Sequence, residues 1–164
     1  PRNLETLNAL CSLKPHHALL DLNLRPQLYS PTLVLGALGK ATILKMNEEE
    51  WRTIREITKL KTPDDLFNHF RLRMIAITRG SNGAEFYIRD SQYSYTGTKV
   101  ESVDQIGAGD AFTAALAAGV MRHAKPDHIL RVACEAGAIA TQQMGAVVNL
   151  PKTLQQAFPQ YERR

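Results

Sequence analysis

The stretch Val103-Asp104-Gln105-Ile106-Gly107-Ala108-Gly109-Asp110-Ala111-Phe112 carries the clearest chemical signal in the sequence. Two glycines stand either side of one alanine, and an Ala-rich helical stretch follows to Met121. Small residues let backbone N–H groups close on a ligand. A helix N-terminus adds the positive end of its dipole, so the segment reads as an anion cradle. It is not a Walker A loop, since no Gly-Lys-Ser/Thr follows, and it is not GxGxxG. A carboxylate at Asp110 would repel an anion held there unless it has a separate task. Taking the proton from an attacking hydroxyl during phosphoryl transfer is such a task. A second reading stays open, in which Asp110 only caps a helix after a glycine turn.

The elements that must position this segment alternate between strand and helix. Asn3 is expected to cap a first helix, with Leu4, Leu7, Leu10 and Cys11 on one face. Ala18–Leu22 reads as a buried strand, and Ser30-Pro31 opens a helix with Ser as cap. Ala41–Met46 is the next strand. Asn47 caps a helix whose first turn holds Glu48, Glu49 and Glu50, where the dipole favours negative charge. Thr62-Pro63 opens another helix, and Met74–Thr78 is an unbroken apolar strand of the kind found in sheets covered on both faces. Ala84–Arg89 and Gln92–Thr96 form short strands around Asp90-Ser91. A strand-like stretch ends at Asp104, helices follow over Gly109–Met121 and Asp127–Gln142, and Pro151 opens a tail helix. This alternation predicts a doubly wound α/β sheet with a local antiparallel excursion. Ligands in such sheets bind beyond the carboxyl ends of the strands. Asp21-Asn23-Arg25, Asn47-Glu50 and Thr78-Gly80-Gly83 therefore join the glycine turn as candidates.

Composition narrows the function. The chain has 164 residues, 44% hydrophobic and 22% charged, which excludes a disordered chain. The net charge of +4 is scattered rather than gathered into a basic run with aromatics, so no nucleic-acid partner is expected. No apolar run spans a bilayer and no signal-peptide pattern opens the chain, so a cytoplasmic setting without a membrane partner is expected. Cys11 and Cys134 are too far apart for a CxxC and suit a reducing compartment. His16-His17 reads as a solvated strand entry.

Taken together, Gly107-Ala108-Gly109-Asp110-Ala111-Phe112 behind Val103-Asp104 resembles the second signature of the ribokinase-like (PfkB-type) carbohydrate kinases. Asp21-Leu22-Asn23-Leu24-Arg25-Pro26 is similar to the fructokinase and 2-keto-3-deoxygluconate kinase branches. Asn47-Glu48-Glu49-Glu50 resembles the family's Asn-x-x-Glu. Thr78-Arg79-Gly80 with Gly83 resembles its Thr-x-Gly nucleotide loop. Ala133–Ala138 and Gly145-Ala146 complete the set in family order.

The resemblance implies a kinase using ATP and Mg²⁺ to phosphorylate a sugar or sugar-acid hydroxyl, with fructose or 2-keto-3-deoxygluconate as first candidates. Asp110 would be the base that deprotonates the substrate. Gly107, Ala108 and Gly109 would form the anion hole. Asn47 and Glu50 would organise the ATP phosphates and Mg²⁺, Glu50 through water. Thr78, Gly80 and Gly83 would meet the nucleotide, with Cys134 beside the adenine. Arg25 would meet an acidic substrate or phosphate, or stay solvated. Asp104, Gln143, Asn149 and the carbonyls of Ile106, Ala140 and Gly145 would hold a monovalent cation such as K⁺. Gln105 stands where the family usually has Thr, which leaves the nucleotide pocket's shape open at that point.

Residues 1–164 are expected to be the C-terminal, nucleotide-binding portion of such a kinase, with the N-terminal half and the lid missing. The opening Pro1-Arg2-Asn3, without Met, fits a chain cut from something longer. A homodimer is the expectation for the full-length protein. A sheet cut in this way leaves an apolar strand edge that invites association. The other functional reading is a catalytically silent nucleotide-binding or scaffolding fragment.

Overall fold

The computed structural model describes residues 2–25 and 27–158. Five strands form one sheet in the order β1-β2-β3-β4-β5. They are β1 (Leu19–Asp21), β2 (Ile43–Asn47), β3 (Met74–Thr78), β4 (Ala84–Ile88) and β5 (Ser91–Tyr95). The helices are α1 (Arg2–Ser12), α2 (Pro31–Leu38), α3 (Glu48–Thr58), α4 (Pro63–His69), α5 (Ala108–Met121), α6 (Pro126–Thr141) and α7 (Lys152–Gln155). The chain divides into two compact units. The first comprises residues 1–76 and 87–90, and the second residues 77–86 and 91–164.

In the first unit, β1 runs parallel to β2, with Leu19 opposite Ile43 and Asp21 opposite Lys45. The crossover between them is α2. Ser30 caps it by accepting the Leu33 N–H, and Pro31 occupies its first turn. Thr62 and Asp65 form a reciprocal capping box at α4. Leu38, Leu44, Met46, Ile54, Leu66 and Ile75 are fully buried and form this unit's core. At about 25 cal/mol per Å², each such aliphatic side chain contributes roughly 1.5–3 kcal/mol of burial energy.

α1 departs from expectation in two ways. It takes in Arg2, so Asn3 sits inside the first turn rather than capping it. Its leucine face is also not buried: Leu7 is 48% and Leu10 57% exposed.

In the second unit, α5 and α6 pack on each other through small residues. Ala111, Ala136 and Ala140 are buried, with Val148, Leu150 and Leu154 laid against them. Gly119 is part of this closeness, since a Cβ there would come within 2.7 Å of Ile129 and 2.8 Å of Phe158. The strand-like stretch expected to end at Asp104 is not a strand. The N–H groups of Val103 and Asp104 instead donate to the Thr141 carbonyl, at 2.7 and 3.1 Å. That carbonyl ends α6 and has no acceptor role left inside the helix. Its capture of the incoming chain replaces a ladder.

Candidate functional site

The first unit carries one group of candidates where β1 and β2 end. Asn47 closes β2 in an extended conformation and caps α3, its side chain accepting the Glu50 N–H at 2.8 Å. Glu50 answers by accepting the Asn47 N–H at Oε2, 2.7 Å away. Its other oxygen, Oε1, accepts the N–H of Leu24 at 2.9 Å. Glu50 is 6% exposed, one of two buried charged residues in the described chain.

Asn23 precedes Leu24 with φ 41°, in the left-handed region that asparagine tolerates better than most residues. The structure therefore brings Asn47 and Glu50 together with the Asn23–Arg25 turn. Arg25 is exposed beside a cleft of about 240 Å³ lined mainly by Leu20, Leu22, Leu28, Tyr29, Leu33 and Val34.

Lys45, the other buried charge, was not among the residues singled out from sequence. Its ammonium meets both Asp21 oxygens, at 3.1 and 3.2 Å. The available signal was a lone charge inside the apolar run Ile43–Met46.

The second unit carries the remaining candidates. β3 ends at half-buried Thr78, and a 3-10 turn over Gly80–Asn82 leads into β4, closed by the Arg79 N–H on the Gly83 carbonyl at 2.8 Å. Gly80 has φ 55° with open space around its Cα. Gly83 has φ 90°, and a Cβ there would lie 1.9 Å from the Tyr95 carbonyl oxygen. Gly83 is thus demanded by packing whatever else it touches.

Gly107 is the residue before α5, with φ 82°, and its carbonyl accepts the Ala111 N–H at 2.8 Å. A Cβ at Gly107 would stand 3.0 Å from the Ala146 carbonyl oxygen. Ala108, Gly109 and Asp110 make the first turn of α5, and Asp110 is exposed. The N–H groups of a first helical turn have no acceptor inside the helix. Here they open behind a glycine turn, so the residues fit an anionic group at this end.

Asp104 holds the approach to this turn. Its Oδ1 accepts the Ile106 N–H at 3.0 Å and its Oδ2 the Gly145 N–H at 2.9 Å. These two bonds, the Ile106 one foremost, hold its carboxyl below the usual aspartate range. Gln143 pairs with Asn149 in both directions, accepting its N–H at 2.9 Å and donating to its carbonyl at 3.1 Å. The Ala140 carbonyl accepts the Gln143 N–H at 3.2 Å. Two local networks result, Asp104 with Ile106 and Gly145, and Ala140 with Gln143 and Asn149.

Cys134 is half-buried on α6, and burial, aided by Glu135, pushes its thiol up to about 12. Gln105 is exposed. Among the described residues, no three His, Cys, Asp or Glu side chains group to hold a metal ion. Mg²⁺ carried mainly by water, phosphate oxygens and a single carboxylate needs no such cage.

The α/β sheet with its helices has a ribokinase-like fold. The folds of solved structures agree. One is 2-dehydro-3-deoxygluconokinase from Thermotoga maritima, with TM-score 0.80, 17% identity, and coverage of 94% of this chain and 53% of that one. Another is an Escherichia coli chain solved in complex with ATP and Mg²⁺, with TM-score 0.74, 23% identity, and coverage of 87% and 48%. The model of the pfkB family carbohydrate kinases matches residues 1–153, and the chain belongs to that family. Fructokinase from Escherichia coli is 31% identical over 147 residues, covering 80% of this chain and 47% of its own length. Fructokinase-1 from Oryza sativa is 30% identical over 161 residues, covering 88% and 50%. The chain thus spans about half the length of these relatives. No described helix is long and apolar enough to cross a membrane.

Proposed function

We propose that the chain is the nucleotide-side portion of a kinase that transfers the terminal phosphoryl group of ATP to a hydroxyl of a sugar or sugar acid. The observation that carries this reading is Asp110, an exposed carboxylate in the first turn of a helix that opens behind a left-handed glycine, in a chain of the pfkB family. Asp110 accepts the proton of the substrate hydroxyl. The amides of Gly107, Ala108 and Gly109 bind charge that grows on the transferring group. Magnesium supplies neutralisation of the phosphate charge when bound.

Asn47 and Glu50 orient the phosphates and the water around that ion. Thr78, Gly80 and Gly83 line the nucleotide side, with Cys134 near the base. Cys134 acts there through its shape rather than as a thiolate, because its proton stays on. The Asp104 and Gln143 networks surround a monovalent cation such as K⁺. Arg25 meets an acidic or phosphorylated group. Fructose and 2-keto-3-deoxygluconate are the first substrates to try. The activity belongs to the cytoplasm, and the full-length protein works as a homodimer.

A coupled phosphotransfer assay over a panel of sugars and sugar acids tests the reading. Turnover should fall by about 10²–10⁴-fold in Asp110→Asn with ATP binding kept. A second reading rests on the half-length coverage of the relatives. In it the chain binds nucleotide without turnover, and ATP binding with no turnover in the full-length parent would establish it.

A further inference from the structure

Two capping boxes in this chain can be compared directly. At α4, the acid of the box uses Asp65 Oδ2 on the neighbouring N–H groups of Thr62 and Lys61, at 2.9 and 3.0 Å. Everything it does stays within four residues, and it is partly exposed. At α3, Glu50 needs only Oε2 to complete the box. Its Oε1 leaves the helix and accepts from Leu24, 26 residues away, at 2.9 Å. The helix start does not require this second bond.

The bond falls where the chain most needs holding. Leu24 lies between Asn23, whose φ of 41° is a conformation that relaxes without support, and exposed Arg25. Glu50 is 6% exposed, so little of its carboxylate faces solvent, and both oxygens already accept backbone N–H groups.

We propose that Glu50 is a positioning residue that ties the Asn23–Arg25 turn to the end of β2, so that Arg25 and Asn47 are held in one register. Resting on the phosphotransfer reading, this makes Glu50 the link by which the turn carrying Arg25 is set from the Asn47 side.

Glu50→Asp separates the two bonds. The shorter acid still completes a capping box, as Asp65 does, but does not reach Leu24. Amide hydrogen exchange on the 164-residue chain should show Leu24 exchanging at least tenfold faster, with Asn47 and the α3 amides unchanged. The amide resonances of Asn23, Leu24 and Arg25 should shift as a group. Isothermal titration of the parent with MgATP tests the phosphotransfer reading separately. Unchanged Leu24 protection in a folded Glu50→Asp chain overturns the tie. If Glu50→Asp is unfolded by circular dichroism, Glu50→Gln is the second variant. Its one carbonyl oxygen replaces only one of the two acceptors, so the amide that keeps protection identifies the stronger bond, and continued protection of both rejects the proposal. If the parent binds no MgATP, the phosphotransfer reading fails while the exchange result still decides the tie.

Discussion

Gly83 and Cys134 show how one residue's surroundings decide its chemistry. Gly83 combines φ 90° with space that a single methyl would overfill, 1.9 Å from one backbone oxygen and 2.5 Å from the Gly97 nitrogen. Strain and overpacking add, so Gly83→Ala should cost about 3 kcal/mol or more. Urea unfolding checks this, with Gly80→Ala as the milder comparison, since Gly80 has the left-handed φ but no crowding.

Burial pushes the Cys134 thiol up to about 12, so its thiolate is scarce at neutral pH. Alkylation by iodoacetamide at pH 8 should therefore be slow in the folded chain and ordinary in urea, read by mass spectrometry of the Cys134 peptide. Because the folded pKa is raised, the linked stability is present below pH 9 and is lost as pH rises from about 9 towards 12.

At the scale of elements, the loop before α5 is governed by Asp104. Its carboxyl is held below the ordinary value of 3.8, so the associated stability is in place above that pH and is lost as pH falls through the lowered value. The amide resonances of Ile106 and Gly145 should titrate together with a midpoint below 3.8. Asp104→Asn should remove that titration. Separate midpoints for the two amides would contradict a shared carboxylate.

The same loop marks the limit of what the sequence discloses. Ser30, Asn47 and Thr62 were legible as caps because each bonds three residues ahead, inside one stretch of text. Gly107 was legible because few other residues adopt its φ. Val103 and Asp104 read as a strand because their partner, the Thr141 carbonyl, belongs to a helix end far along the chain. The Glu50–Leu24 bond was hidden for the same reason, and so was the Asp21–Lys45 pair, which depends on strand register. Residue types announce local bonds, and long-range bonds need the topology first.

At the scale of the whole molecule, one flank of the first unit is uncovered. β1 stands at the end of the strand order, and α1 with the turn after it shows Leu7, Leu10 and Leu13 to solvent, the last 77% exposed. Leu28 and Leu33 extend the apolar surface, at 73% and 49% exposed. An end strand and exposed leucines each favour association. Light scattering after size exclusion should show a mass that rises with concentration. Leu10→Glu with Leu33→Glu should return it towards the monomer. A protease-resistant monomer at all concentrations for the parent chain contradicts this.

A different consequence follows from the Asp104–Gly145 bond, which joins positions 41 residues apart. During synthesis at about 5–20 residues per second, Asp104 waits roughly 2–8 s for its partner to be made. Through that interval the turn that carries Asp110 is already on the nascent chain but unclasped. The clasp on this loop therefore closes only after Gly145 has been made.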